Sequence, residues 1–254
     1  MKFLAVTDLH YTDKPIGSNG RFHYLSAEKL KFTIENFSQD CDFIVCLGDI
    51  VDAFDGYKSQ EQGLKELSAI WRSSGKPFYA LIGNHDTALD KKLFCPLADM
   101  PNRYYSVETD EYLCLMLDTC MNSKTEPYPA QEIQWTTCFV DAEQLEWMKE
   151  TIAKSDKPVV VFTHVLLDFD SDEERNDHVL VNAAEVIEIL RESGKVHAIF
   201  SGHYHDGQVL RIGGIPCVVF NSVCDEPCVN CAVVEVKDGK ITVDGKGTQP
   251  NVVF

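Results

Sequence analysis

Apolar residues along the chain come in short, nearly unbroken runs separated by longer amphipathic stretches. The runs cover residues 3–6, 43–47, 78–82, 112–117, 159–162 and 198–200. Unbroken runs, rather than strict alternation, predict parallel strands covered on both faces. Between them apolar positions recur at helical spacing. Ala27, Leu30, Ile34 and Phe37 predict one helix, with Ser26 as its N-cap. Leu64, Leu67 and Trp71 predict a second, ending near Gly75. Asp141 with Gln144 has the capping-box spacing ahead of Leu145, Met148 and Ile152. Asn182 with Glu185 repeats it ahead of Val186, Ile189 and Leu190, and Gly194 can close that helix. Beyond residue 206, Gly213-Gly214 and Asp238-Gly239 predict hairpin turns. The expectation is an α/β chain, with residues 1–254 forming a single domain of two packed sheets and outer helices.

Charge narrows the partners. The chain carries 23 basic against 40 acidic residues, a net charge of −17, and no basic run offsets it. Such a surface repels long polyanions, so nucleic acid is not expected as the main partner. No stretch approaches the ~18 apolar residues of a membrane span. The apolar run at the N-terminus is also shorter than a signal-peptide core. A cytoplasmic, membrane-free protein is expected. Cys46, Cys114 and Cys217 sit within or beside apolar runs, where a reduced thiol behaves as a small hydrophobe. Cys224, Cys228 and Cys231 form a tighter cluster. They read either as a structural zinc site completed by Cys217 or as buried and loop thiols.

The ends of the apolar runs carry the chemistry. Five runs are followed in turn by Asp8-Leu9-His10, by Asp49, by Asn84-His85-Asp86, by His164 and by His203-Tyr204-His205. Singly these are weak signals. Together they take five of the eight histidines and put each at a strand end. Open α/β sheets bind ligands outside the carboxyl ends of their strands, so residues some 200 positions apart can converge there.

With Gly48, Gly83 and Gly202 included, these five blocks resemble the calcineurin-like metallophosphoesterase signature, intact and in order from residue 8 to residue 205. The resemblance implies a four-layer α/β/β/α sandwich of two mixed sheets flanked by helices. It implies that Asp8, His10, Asp49 and His205 hold one divalent ion. Asp49 would bridge to a second, completed by Asn84, His164 and His203. Carboxylate, amide and imidazole donors suit Mn2+ best, with Fe or Zn2+ also possible, and this set offers no thiolate. The implied reaction is in-line attack of a metal-bridging hydroxide on the phosphorus of a small phosphodiester or phosphomonoester. Two carboxylates and a hydroxide bring about −3 against about +4 from the ions, so the site is locally cationic inside an acidic protein. His85 is the candidate acid for the leaving oxygen. Asp52 matches the residue that orients this histidine in the protein-phosphatase branch.

Departures narrow the branch. Ala53-Phe54 stand where protein phosphatases carry Arg-Gly, Asp52 where purple acid phosphatases place a metal-binding Tyr, and Asp86 where a Glu is common. The chain is more similar to the cyclic-nucleotide phosphodiesterase and small-molecule phosphohydrolase branch. Arg21, His23 and His178 lie in loops able to reach the substrate rim. The acidic stretch 168–177 follows His164 and reads as a solvated loop. The alternative is a catalytically idle interaction scaffold on the same fold. That reading predicts lost ligands, and none is missing.

Overall fold

The computed structural model describes residues 1–14, 20–52, 58–122, 136–169 and 178–254. Ala53-Phe54 and most of the acidic stretch after Asp168 lie outside them. In chain order the first strands are β1 (Lys2–Val6), β2 (Phe43–Cys46), β3 (Phe78–Ala80), β4 (Tyr105–Glu108), β5 (Leu113–Met116) and β6 (Val159–Phe162). Then follow β7 (Val196–Ser201), β8 (Gln208–Ile212), β9 (Ile215–Val219), β10 (Cys231–Lys237), β11 (Lys240–Lys246) and β12 (Val252–Val253). The helices are α1 (Ser26–Phe37), α2 (Gln60–Arg72), α3 (Lys91–Leu97), α4 (Ala142–Lys154) and α5 (Ala183–Ser193).

The strands form two six-stranded sheets, ordered β12-β11-β10-β1-β2-β3 and β4-β5-β6-β7-β9-β8. All six apolar runs become parallel strands. β1, β2 and β3 run together in the first sheet, and β5, β6 and β7 in the second. Antiparallel strands complete each sheet, so both are mixed. The inner faces meet at Phe3, whose ring stacks on Phe43 at 5.2 Å and meets Phe162 and Phe200 edge-on at 5.3 Å each. Each such aromatic pair adds about 1 kcal/mol beyond the area it buries. α1 and α2 connect the parallel strands of the first sheet and pack against each other. α4 and α5 do the same for the second. The result is the expected sandwich of two mixed sheets between helical layers.

Both predicted hairpins form with two-residue loops. Ile212 pairs with Ile215 around Gly213-Gly214, and Lys237 with Lys240 around Asp238-Gly239. All four loop residues have positive φ, as a type I′ turn requires. Gly194 ends α5 in the left-handed conformation. Asp141 caps α4 by accepting from Gln144 N at 2.8 Å. Two expected caps are overturned. Ser26 is the first helical residue, and its hydroxyl donates to Leu9 O at 2.5 Å. The Asn182 side chain leaves its own helix and pairs with both backbone groups of Val140, at 3.0 and 2.9 Å. In each case a tertiary partner outcompetes the local one.

Candidate metal centre

Five parallel strands stop at the same edge of the sandwich, and the segment after each presents polar side chains. Four of those residues take a left-handed backbone: Asp8 (φ 52°), His10 (φ 43°), Asp49 (φ 49°) and His203 (φ 68°). Non-glycine residues rarely adopt it, at a cost of about 1–3 kcal/mol each, and such strain gathers at functional sites. The sharp turns aim side chains across the gap between the sheets. Two glycines permit close approaches: at Gly83 a Cβ would lie 2.1 Å from both Asp49 N and Asp49 Oδ1. At Gly202 it would lie 2.0 Å from Thr7 Oγ1 and 2.8 Å from Asp8 Oδ2.

All seven predicted ligands converge. His10 Nε2 lies 3.7 Å from Asp8 Oδ1, 3.4 Å from Asp49 Oδ2 and 3.2 Å from His205 Nε2. His164 Nε2 lies 3.4 Å from the same Asp49 oxygen and 3.1 Å from Asn84 Oδ1. The ligand atoms of Asp8, His10 and Asp49 form one group within 4.8 Å of one another, and those of Asp49, His164 and His203 form another. Asp49 is common to both. The donors fit cations. Asp8 Oδ1 and His203 Nε2 are buried without a hydrogen-bond partner among the described residues. Burying such atoms unpaired is costly, and a bound ion would satisfy them.

Electrostatics divide the histidines. Burial, reinforced by the charge of His85, lowers the pKa of His10 to about 4. Burial and the neighbouring His164 lower His203 to about 3. Both are neutral at pH 7, with lone pairs available. Burial opposes the charged form of His164, but Asp49 and Asp8 outweigh it and lift its pKa to about 9. His205 is raised against burial by Asp225 and Asp8. Burial disfavours ionisation of Asp8 and Asp49, yet the surrounding imidazoles hold both well below the usual carboxylate range. Ion uptake would therefore displace a proton from His164.

His85 lies beside this group. Its backbone N–H donates to Asp49 Oδ1 at 2.8 Å, and its Nδ1 meets Asp52 Oδ1 at 3.0 Å. Burial opposes its charged form, but Asp49 and Asp52 raise its pKa. A cleft of about 510 Å³ opens over the centre, lined among others by His85, Arg21, His178 and Tyr204. Arg21 and His178 thus reach the rim, as expected. His23 does not. It sits in a short 3-10 turn, fully buried, with Nδ1 2.7 Å from Asp52 Oδ2.

Sequence reading missed three supports. Thr7 Oγ1 donates to Asp8 Oδ2 at 2.6 Å. Asp86 accepts from Ile50 N (2.9 Å), Val51 N (3.1 Å) and Gly83 N (2.9 Å), tying the loop of Asp49 to that of Asn84. Asp225 takes Nδ1 of His205 at 2.6 Å, which turns Nε2 towards Asp8, and also pairs with Arg21 Nε at 3.1 Å. The Asp86 position was visible in its motif; nothing in the sequence pointed to Asp225. The proposed zinc cluster does not assemble. Among the described residues, neither Cys228 nor Cys231 joins any group able to hold an ion. None of the ten cysteines, all of them among the described residues, forms a disulfide.

The model of the calcineurin-like phosphoesterase family matches residues 1–207. The chain belongs to that family. Among curated calcineurin-like relatives it is 24% identical over 196 residues to a probable cyclic nucleotide phosphodiesterase of Psychrobacter arcticus, covering 72% of this chain and 64% of that protein. It thus spans slightly less than two thirds of that relative. It is 26% identical over 234 residues to the 3′,5′-cyclic adenosine monophosphate phosphodiesterase CpdA of Haemophilus influenzae, covering 88% and 79%. In fold it matches a dimetal phosphatase from Danio rerio with a TM-score of 0.83 at 17% identity, over 100% of this chain and 98% of the other. Among the described residues of this calcineurin-like chain, no helix is long and apolar enough to cross a membrane.

Proposed function

We propose that the protein is a dinuclear metal-dependent phosphohydrolase acting on small phosphoesters, with diesters preferred. The observation that carries this is the pair of ligand groups joined through Asp49. Asp8, His10 and His205 would hold one divalent ion, and Asn84, His164 and His203 the other, with Asp49 available to both. When bound, the ions supply an activated water for in-line attack on phosphorus and neutralise the phosphate oxygens. Mn2+ suits the oxygen and nitrogen donors. The same reading treats residues 1–254 as one domain, because a single buried core runs through both sheets. It also assigns a cytoplasmic address, where free thiols stay reduced.

The chain's own groups do the rest. Asp52 holds Nδ1 of His85, leaving Nε2 to donate a proton to the departing oxygen. Asp49 and Asp52 raise the pKa of this ring and so favour its protonated form. Asp225 fixes the ring of His205, and such supporting partners matter about 10- to 100-fold in ion affinity or activity.

His85→Ala is expected to slow hydrolysis of an alkyl diester by about 10²- to 10⁴-fold. An aryl diester, whose leaving group needs no proton, should lose far less. A leaving-group series measures the split; equal losses on both would remove His85 from the acid role. The substrate question is addressed by a Mn2+ panel of cyclic nucleotides, nucleotide diphosphate derivatives, simple diesters and monoesters. A monoester-only profile would overturn the diester preference.

A further inference from the structure

The ligand set read from the motifs contains no sulfur, yet the structure brings one to the centre. Cys224 Sγ lies within 4.8 Å of a ring nitrogen of His10 and one of His205. It is fully buried. Its place is held from several sides. Cys224 N donates to Asp8 O at 3.1 Å, Val223 N donates to Thr7 O at 3.0 Å, and Phe22 N donates to Cys224 O at 2.7 Å. The buried Lys29 ammonium donates to Val223 O at 2.5 Å and to Glu226 O at 2.8 Å, clamping the segment on both sides of the thiol. The thiol is thus tied by backbone to the strand end that carries Asp8.

A second observation points the same way. Asp8 Oδ1 is buried without a hydrogen-bond partner among the described residues and lies 3.5 Å from His205 Nε2 and 3.7 Å from His10 Nε2. Asp8 Oδ1 thus faces the same two rings whose nitrogens are grouped with the Cys224 sulfur. The other half of the centre, Asp49, Asn84, His164 and His203, offers only oxygen and nitrogen.

We propose that Cys224 is an additional donor to the ion held by Asp8, His10 and His205, so that the two positions differ in softness. The thiol-bearing position then selects a borderline-soft ion such as Zn2+, and the sulfur-free position a harder one such as Mn2+. The inference rests on the two-ion reading above and adds a ligand and an order of preference to it. On coordination the thiol enters as thiolate and releases its proton to solvent.

Cobalt and zinc loading of the full chain test this directly. Metal-free protein loaded with Co2+ is expected to show a thiolate-to-cobalt charge-transfer band in the near ultraviolet. In Cys224→Ser that band is lost while the visible absorption of bound cobalt persists. Should the variant fail to fold, X-ray absorption at the zinc edge of the wild-type protein decides, with one sulfur expected at about 2.3 Å. Ions bound with no charge-transfer band and only nitrogen and oxygen around zinc would overturn the proposal and leave the two-ion reading standing. Protein that binds no ion would overturn both.

Discussion

Asp49→Ala is expected to lower kcat/KM for phosphodiester hydrolysis by at least about 10³-fold, or about 4 kcal/mol of transition-state stabilisation. Bound metal should fall from about two ions per chain to one or fewer. Asp49 lies within 3.4 Å of both His10 Nε2 and His164 Nε2, and it belongs to both ligand groups. Its other oxygen also accepts the His85 backbone N–H at 2.8 Å. Losing this one carboxylate therefore weakens both ion positions and releases the proposed acid. No other ligand touches all three. His164→Ala should cost activity through one position only and keep more metal. Metal analysis beside steady-state kinetics separates the two variants. An Asp49→Ala protein with full metal content and activity would show that the ligand assignment is wrong.

Gly83→Ala is expected to lose both rate and stability, although it removes no functional atom. The added Cβ would sit 2.1 Å from Asp49 N and from Asp49 Oδ1. Neither is the free end of a flexible chain, so the loops after β2 and β3 must separate. Those loops are tied together by the three hydrogen bonds that Asp86 accepts, so the shift spreads through the whole strand-end layer. Displacing a reacting group by about 1 Å costs on the order of 10²-fold in rate. Overpacking a filled site costs a further ~1–3 kcal/mol of stability. Gly63→Ala is the control. It adds the same methyl group inside α2, where the nearest atom is a Tyr11 ring carbon at 3.3 Å. Its expected effect on activity is small, and helix propensity favours it by up to about 1 kcal/mol. Kinetics and denaturant midpoints of the two variants check the contrast. Similar rate losses in both would sink the steric argument.

Both expectations rest on a site whose outline was readable in the linear chain. The unbroken apolar runs marked the parallel strands, and the residues after them marked the edge where ligands gather. Seven ligand candidates and the His85–Asp52 pair came together as the family resemblance implied. The turn residues Gly213-Gly214, Asp238-Gly239 and Gly194 also behaved as local chemistry dictates. Failures share one physical cause. Ser26, Asn182 and His23 each had an ordinary local reading, and each found a better partner far away in sequence. Cys224 and Asp225 reach the centre from 19 and 20 residues beyond His205, the end of the last motif, on a segment clamped by Lys29. No periodicity announces such a contact. The thiol cluster failed for the same reason: spacing placed Cys224, Cys228 and Cys231 together, whereas the fold turns only Cys224 towards the histidines.

The most direct test of the central claim is a metal titration of chelator-stripped wild-type protein, following hydrolysis of an aryl phosphodiester together with bound Mn2+. The account predicts no hydrolysis in the stripped protein. Activity should return as ions load and reach its plateau only when the second position fills. Hydrolysis that persists without metal, or a chain that binds two ions and cleaves no phosphoester, would contradict it.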